Sequence, residues 1–208
     1  TDGTAPERNR VLYEIIGIRE DAEEDVYGVI GTYYAMIRFI DDAIGQILDA
    51  IERLGLRDNT AIVFCSDHGD FMGEHAMTCK GGVFYDCLTR VPLIVSCPER
   101  LPAGQIDTSM ANLIDIVPTL LQLQEIDIPP SMHGQPLPTV TDAAPRDATF
   151  CEYGAGGPAF AMQDLQQFVQ PYGRRTLMQS LHWREAEGRR KMVRTRSWKY
   201  VHDPMGDR

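Results

Sequence analysis

The sequence has few of the features that would assign it to a class at once. Its 208 residues include five cysteines, at positions 65, 79, 87, 97 and 151, and no Cys-x-x-Cys pair. An odd, scattered set argues against a zinc finger or a disulfide-stapled module and predicts mostly reduced core thiols. The sequence shows neither a signal peptide nor an apolar run of about 18 residues, so nothing indicates a membrane span.

Basic residues are also scarce. Twenty Lys and Arg stand against thirty Asp and Glu, which leaves a formal net charge of −10. This balance argues against nucleic acid or an anionic membrane as the main partner. The hydrophobic fraction of 43% is that of a globular chain with a core, so the sequence is not that of a disordered protein.

One dense polar cluster follows directly after the apolar run 61–65. Its members are Asp67, His68, Gly69, Asp70, Glu74, His75 and Lys80. The run is β-branched and aromatic without alternation, which predicts a strand buried on both faces of a parallel sheet. Ligands of open α/β sheets bind beyond the carboxyl ends of the strands. We therefore expect Asp67 and His68 to offer a carboxylate oxygen and an imidazole nitrogen to one divalent ion.

Glycines and a lysine extend this prediction to an anion. Gly73 precedes Glu74, and two glycines follow Lys80, so the backbone can bring polar groups close to a ligand. An ammonium beside a divalent cation suits an oxyanion such as sulfate or phosphate. Taken singly, each residue has a plainer interpretation: a solvated turn for Asp67-His68-Gly69, a surface charge for Lys80, and a loop hydrogen bond for His75.

Apolar residues at spacings of three and four predict one long amphipathic helix. They are Ile37, Ile40, Ile44, Ile47, Leu48, Ile51 and Leu54. Gly55 then stands where a C-terminal cap belongs. Such a stripe needs a sheet to cover it, yet sheets usually carry about five or six strands and the chain supplies few candidates. The predicted elements after the helix are strands at 60–65, 92–97 and 109–113 and a helix at 116–123 with Asp115 as its N-cap.

The last third of the sequence predicts a separate, smaller unit. A linker at 139–144 precedes a strand at 148–153, a short helix at 162–169, and a hairpin that pairs 192–195 with 198–200. Basic residues cluster between 189 and 196 on this hairpin. We interpret them as a solvated edge that discourages aggregation.

A series of short motifs runs in a fixed order from Tyr33 to Leu137. They are Tyr34-Ala35 through Ile40-Asp41-Asp42-Ala43-Ile44-Gly45, Leu54-Gly55-Leu56-Arg57-Asp58-Asn59-Thr60, Ser66-Asp67-His68-Gly69-Asp70, Gly73-Glu74-His75, Lys80-Gly81, Arg90-Val91-Pro92-Leu93-Ile94 and Ile114-Asp115-Ile116-Val117-Pro118-Thr119-Leu120-Leu121. In this order they resemble the central part of the sulfatase family, within the alkaline phosphatase superfamily. The resemblance covers most of the chain and thins between about residues 139 and 190.

The resemblance implies an α/β fold, in which part of an alkaline-phosphatase-like sheet is flanked by helices and followed by a smaller α+β C-terminal subdomain. The implied parts are a lead-in segment at 1–26, the C-terminal half of the sulfatase α/β domain at 27–138, and a truncated subdomain at 139–208. The missing N-terminal half of the same fold would be the partner that supplies the first strands.

Carried over residue by residue, the resemblance implies that Asp67 and His68 bind the metal, that Lys80 contacts the sulfate group, and that His75 is a further catalytic candidate. Asp70 and Glu74 rank below these, and Arg90 is expected to brace its loop. The metal is expected to be calcium, with magnesium or manganese open because His68 stands where many sulfatases have Asn.

The implied reaction needs a nucleophile that the sequence does not contain. Sulfatases use a formylglycine made from a Cys-x-Pro-x-Arg or Ser-x-Pro-x-Arg motif, whereas Cys97-Pro98-Glu99-Arg100 has the wrong spacing and predicts a turn. The paired Asp41-Asp42 falls on the solvated helix face and is a poor substitute for the family's N-terminal Asp pair.

Three functions stay open at this point. The first is a sulfatase that hydrolyses a small-molecule or carbohydrate sulfate ester, with the nucleophile outside these 208 residues, so that the chain alone is expected to be inactive. The second is a phosphate or phosphonate ester hydrolase of the same superfamily. The third is a non-catalytic fragment or binding module with the same fold.

Overall fold

A computed structural model describes residues 9, 12–13, 16–18, 23–141, 144–154 and 190–203. Its α-helices are α1 (Glu23–Arg53), α2 (Asp86–Thr89) and α3 (Ile116–Leu123), with 3-10 turns at Glu74–Ala76, Leu113–Asp115 and Pro138–Val140. The strands are β1 (Ile62–Cys65), β2 (Phe71–Met72), β3 (Thr78–Cys79), β4 (Leu93–Ser96), β5 (Thr149–Tyr153), β6 (Arg190–Arg194) and β7 (Lys199–His202). The helix predicted at 162–169 lies outside the described residues.

Helix α1 confirms the predicted stripe and its cap. Gly55 has a φ of 67°, its N–H donates to the carbonyl of Glu52 at 2.9 Å, and the N–H of Leu56 donates to that of Ile51 at 3.0 Å. These two bonds form the Schellman motif, which satisfies carbonyls at the helix end and needs a left-handed residue there. A glycine at position 55 adopts that conformation without strain.

The apolar stripe of α1 has no sheet over it in the described part of the chain. Ile40, Ile47 and Leu54 remain 53%, 60% and 66% exposed. Burial of an isoleucine or leucine side chain is worth about 1.5–3 kcal/mol, so this face leaves a large stabilising term unused. The sheet that the sequence predicts over this stripe is therefore not found among the described residues.

Strands β1 and β4 form a two-stranded antiparallel ladder in the register Ile62↔Ser96 to Cys65↔Leu93. The parallel arrangement predicted for β1 is wrong for this pairing, and Phe64 and Ile94 are 39% and 59% exposed. A run of β-branched residues specifies burial but not strand direction, and otherwise parallel sheets often carry an antiparallel edge strand. The bounds of both strands nevertheless fall within the predicted segments.

Helix α3 has the predicted bounds and Asp115 at its N-cap position, but the Asp115 side chain makes no capping hydrogen bond to α3. Asp115 is 1% exposed, and its Oδ2 accepts from the backbone N–H of Asn112 at 2.8 Å. Its Oδ1 accepts from the N–H of Gln135 at 3.0 Å and from the Arg146 guanidinium. The carboxylate therefore joins three segments. The strand predicted at 109–113 is also wrong, since Met110 makes only an isolated bridge with Arg146.

The C-terminal strands form one antiparallel sheet in the order β5-β6-β7. The pairing of β6 with β7 confirms the predicted hairpin. Two hydrogen bonds close its turn: the Thr195 N–H donates to the Trp198 carbonyl at 2.8 Å, and the Trp198 N–H donates to Thr195 Oγ1 at 3.0 Å. The domain boundaries predicted between residues 26 and 27 and between residues 138 and 139 stay predictions.

A buried cluster lies beneath the polar loop. It consists of Leu12, Ile16, Phe71, Met77, Val83 and Leu88. The lead-in segment contributes Leu12 and Ile16, so apolar residues from before α1 help to fix the loop between β2 and α2. Among the described helices, none combines the length and the hydropathy that a membrane crossing requires.

Candidate active site

The polar loop leaves β1 and is fixed onto α2 within four residues. Ser66 Oγ donates to the carbonyl of His68 at 2.7 Å, and the N–H of Gly69 donates to the carbonyl of Leu88 at 2.9 Å. A Cβ at Gly69 would clash with the carbonyl oxygen of Cys87. A glycine is therefore required for the loop to approach α2 this closely.

The two ring nitrogens of His68 face different partners. Nδ1 lies 3.0 Å from the carbonyl oxygen of Gly69, and Nε2 lies 3.1 Å from Lys80 Nζ. A carbonyl only accepts and an ammonium only donates. The proton of the imidazole therefore belongs on Nδ1, and the lone pair of Nε2 is directed toward Lys80.

Asp67 completes a group of three with His68 and Lys80. Its Oδ2 lies 3.5 Å from His68 Nε2, and the two side chains are 85% and 40% exposed. The backbone N–H of His68, which donates to Oδ1 at 2.9 Å, lowers the pKa of Asp67, and the charge of Lys80 acts in the same direction. Asp67 is therefore a carboxylate at neutral pH, and three residues predicted from the sequence meet at one point.

The pair Asp67 and His68 fits two ligand positions of a divalent cation. A carboxylate oxygen and an unprotonated imidazole nitrogen 3.5 Å apart can reach one ion together. Metal-binding histidines usually donate their other N–H to a carboxylate or backbone carbonyl, as His68 does to Gly69. In the described ranges, no group of three or more His, Cys, Asp or Glu side chains converges in a way that could hold a metal ion.

Tyr33 is a site neighbour that sequence reasoning missed. Burial, followed by the negative charge of the nearby Asp70, raises the pKa of Tyr33. The contact ties α1 to the polar loop. The sequence gives one indication of this contact. Tyr33 lies four residues before Ile37, so it extends the apolar stripe of α1, and its hydroxyl adds a polar group to that face.

His75 and Glu74 contact their own loop. The His75 ring stacks on Tyr85 with centroids 3.8 Å apart and meets Phe71 edge-on at 6.2 Å. Glu74 Oε2 accepts from the N–H of Met72 at 2.7 Å. His75 also has a left-handed φ of 56°, which this stacking helps to hold. These contacts shape the loop, and the catalytic assignment of His75 stays a prediction.

The group of Asp67, His68 and Lys80 opens into a broad trough. Its lining includes Arg90, His133, Arg146 and Arg194, along with Tyr33 from α1. Carboxylates line the same trough, among them Asp70, Asp86 and Glu152, so its lining carries both signs of charge. As predicted, Cys97-Pro98-Glu99-Arg100 forms a turn after β4. The Arg100 N–H donates to the Cys97 carbonyl at 3.0 Å and closes this turn.

Comparison with known proteins places the motifs in a family. The sulfatase family model matches residues 2–126. An uncharacterized sulfatase, YidJ, of Escherichia coli K12 is 38% identical over 103 residues, which is 50% of this chain and 20% of that protein. An N-acetylglucosamine-6-O-sulfatase of Bacteroides thetaiotaomicron is 34% identical over 110 residues, which is 53% of this chain and 20% of that protein. The chain therefore spans about a fifth of the length of these two relatives.

Two solved structures share the fold. BT4656, in complex with its substrate D-glucosamine-2-N,6-O-disulfate, matches with a TM-score of 0.57 and 26% identity over 82% of this chain and 30% of that one. The phosphonate monoester hydrolase of Agrobacterium radiobacter matches with a TM-score of 0.64 and 29% identity over 86% of this chain and 34% of that one. Both neighbours are consistent with the α/β class expected from the sequence.

Proposed function

The chain belongs to the sulfatase family, and from this we propose that it is part of an enzyme that hydrolyses sulfate monoesters, with Asp67, His68 and Lys80 in the active site. The observation that carries the proposal is the meeting of a carboxylate, an imidazole lone pair and an ammonium at the end of β1. Membership of the family implies a divalent metal and a formylglycine in general. The N-terminal half of the fold, with the nucleophile, is proposed to lie on sequence outside these residues.

Asp67 and His68 are proposed to hold the cation through Oδ2 and Nε2. Calcium is the proposed ion, and the nitrogen donor suits magnesium or manganese as well. When bound, a divalent cation would withdraw charge from sulfate oxygens. The hydrogen bond from His68 Nδ1 to the Gly69 carbonyl keeps the imidazole in the orientation that this role needs.

Lys80 is proposed to contact the sulfate group. Its ammonium offers three donors, and Nζ lies 3.1 Å from the Nε2 atom that is proposed to bind the cation, so the ammonium would have to leave Nε2 for the sulfate oxygens when the ion binds. Negative charge on the sulfate oxygens is stabilised best by donors that are already in position. For His75, the stacking on Tyr85 supports a role in shaping the loop, alongside the substrate contact predicted from the sequence.

A small-molecule or carbohydrate sulfate ester is the proposed substrate. The sulfated sugar named with BT4656 supports this class. The likeness to a phosphonate monoester hydrolase supports the second candidate, a phosphate or phosphonate ester hydrolase, as superfamily context. The metal and lysine chemistry serves either oxyanion.

The test is the substitution Lys80→Ala in the protein that carries this chain, assayed on aryl sulfate, phosphate and phosphonate esters. We expect kcat/KM for the sulfate ester to fall at least about tenfold, in the range for loss of one charge-stabilising donor. Lys191→Ala is the matched control, because Lys191 is 61% exposed and pairs with Glu152 on the C-terminal sheet.

The outcomes separate the three candidate functions. Unchanged turnover in Lys80→Ala would remove Lys80 from the site. A preference for phosphonate or phosphate esters would favour the second candidate. Absence of turnover on all three esters, together with absence of calcium or manganese binding in a calorimetric titration, would favour a non-catalytic binding module.

A further inference from the structure

The segment just after Lys80 is held by the C-terminal sheet. Lys199 Nζ, on β7, donates to the carbonyl of Phe84 at 2.8 Å. The ring of Tyr153, on β5, covers Gly82 so closely that a Cβ there would lie 2.8 Å from its Cε1. Val83 and Phe84 between these contacts are 5% and 6% exposed. Residues 82–84 are thus anchored from β5 and β7.

Arg190, on β6, adds a buried anchor to the same segment. Its guanidinium donates to the carbonyl of Gly82 and lies 5.9 Å from the centre of the Phe84 ring. Arg190 Nε pairs with Asp203 Oδ2 at 2.9 Å, and the two side chains are 3% and 5% exposed. A buried guanidinium with several partners has a fixed position, since movement would leave its charge uncompensated.

Asp86 joins the sheet to α2. Its Oδ1 accepts from Arg194 Nη1 at 2.7 Å and from Lys199 Nζ, so cations from both β6 and β7 converge on one carboxylate. The hydrogen bond from Lys199, followed by the charges of Lys199 and Arg194, lowers the pKa of Asp86. Asp86 is also the first residue of α2, the helix whose Leu88 carbonyl accepts from the Gly69 N–H.

These contacts connect the sheet with both partners of the site. Lys80 lies two residues before Gly82, and His68 lies one residue before Gly69, which α2 holds. On its other side, Lys80 follows the short β2-β3 ladder, with pairs Phe71↔Cys79 and Met72↔Thr78. The position of Lys80 relative to His68 is therefore fixed by the β2-β3 ladder on one side and by the anchored residues 82–84 and Asp86 on the other.

We propose that Asp86, Arg194 and Lys199 form a clamp through which the C-terminal sheet positions Lys80 against His68. They are positioning residues, since they act on the sulfate contact through the backbone of residues 81–88. The effect on turnover rests on the proposed function, whereas the effect on the position of Lys80 does not. A displacement of about 1 Å at a reacting group can cost about 10²-fold in rate, so a clamp of this kind matters for catalysis.

The first test does not need activity. The imidazole resonances of His68 report on Lys80, because the ammonium lies 3.1 Å from Nε2. We expect Lys80→Ala to shift these resonances in NMR spectra of the protein that carries this chain, with its histidines isotopically labelled, and Asp86→Asn to shift them in the same direction. Amide hydrogen exchange of residues 81–88 should also accelerate in Asp86→Asn by about tenfold or more.

The matched control is Glu152→Gln. It removes the carboxylate of another Lys pair on the same sheet, with Lys191 Nζ at 2.9 Å, and this pair is far more exposed. We expect Glu152→Gln to leave both the His68 resonances and the exchange of 81–88 unchanged. If Asp86→Asn accelerates exchange throughout β5–β7, the sheet itself has opened. Arg194→Gln, which removes one of the two cations that bind Asp86, is then the test variant in place of Asp86→Asn, and the same result is expected.

The second test is kinetic. We expect Asp86→Asn to lower kcat/KM for the sulfate ester about tenfold in the presence of Lys80 and by less than about twofold in the Lys80→Ala background, because coupled residues are not additive. Equal losses in both backgrounds, or unshifted His68 resonances in Asp86→Asn, would overturn the clamp. Absence of turnover in the unmutated enzyme would refute the proposed function alone, since the NMR test still decides the clamp.

Discussion

The packing of the polar loop on α2 leads to a prediction for Gly69→Ala. A Cβ at this position would clash with the carbonyl oxygen of Cys87 and come within 3.0 Å of its carbonyl carbon and 3.4 Å of Leu88 Cα. These are backbone atoms of a helix, so they cannot move aside as a flexible side chain would. The loop must therefore retreat from α2, which stretches the bond from the Gly69 N–H to the Leu88 carbonyl, now 2.9 Å.

The expected magnitude follows from three terms. Overpacking against well-packed atoms costs about 1–3 kcal/mol. Weakening one backbone hydrogen bond costs about 0.5–1.5 kcal/mol. Replacing glycine by alanine reduces the entropy of the unfolded chain and offsets about 0.4–1 kcal/mol of this loss. We expect the free energy of unfolding to fall by about 0.5–4 kcal/mol, against the usual total of about 5–15 kcal/mol.

The assay is urea unfolding of the 208-residue chain followed by circular dichroism, with Gly45→Ala as the matched control. Gly45 lies within α1, and a Cβ there would meet no atom of another residue within 4 Å. The control is expected to raise the free energy of unfolding by about 0.5–1 kcal/mol, since glycine is unfavourable in a helix interior. The same chemical change should thus have opposite signs at the two positions.

A Gly69→Ala chain as stable as the unmutated chain would refute the close approach of the loop to α2. Because Gly69 adjoins His68, this variant should also show altered His68 resonances, whereas Gly45→Ala should not. Destabilisation without any change at His68 would mean that the loop position is set elsewhere.

Two further predictions concern carboxylates. Asp115→Asn should lower the free energy of unfolding by about 2–4 kcal/mol in the same urea assay, because the buried Asp115 accepts hydrogen bonds from Gln135 and Arg146. The control Asp42→Asn removes the carboxylate of an exposed helix pair with Arg38 and should change the free energy of unfolding by less than about 1 kcal/mol. Equal effects of the two substitutions would contradict the buried role of Asp115. The lowered pKa of Asp86 means that its contribution to stability is present above the unfolded value of 3.8 and is lost as the pH falls through the folded value. Hydrogen exchange of 81–88, corrected for the intrinsic pH dependence, should therefore accelerate on acidification below about pH 4, and an Asp86→Asn chain that keeps this acid step would contradict the assignment.

The sequence determined the elements that depend on local pattern. The spacing of Ile37, Ile40 and Ile44 predicted α1, and Gly55 predicted its end, because helix periodicity and a left-handed cap are properties of neighbouring residues. The order of the motifs predicted the family, and the sequence-family comparison confirmed it over residues 2–126. The meeting of Asp67 and His68 was predictable for the same reason, since adjacent residues at a strand end cannot lie far apart.

The tertiary structure decided what depends on distant residues. The direction of β1 against β4, the burial of Asp115 and the contact of Tyr33 with Asp70 join segments far apart in the chain. The same is true of Asp86 with Arg194, 108 positions away. A strand pattern reports burial but not direction, and a single charge has no visible partner in the sequence. Such pairs are selected by the packing of the whole chain, so only the folded structure identifies them.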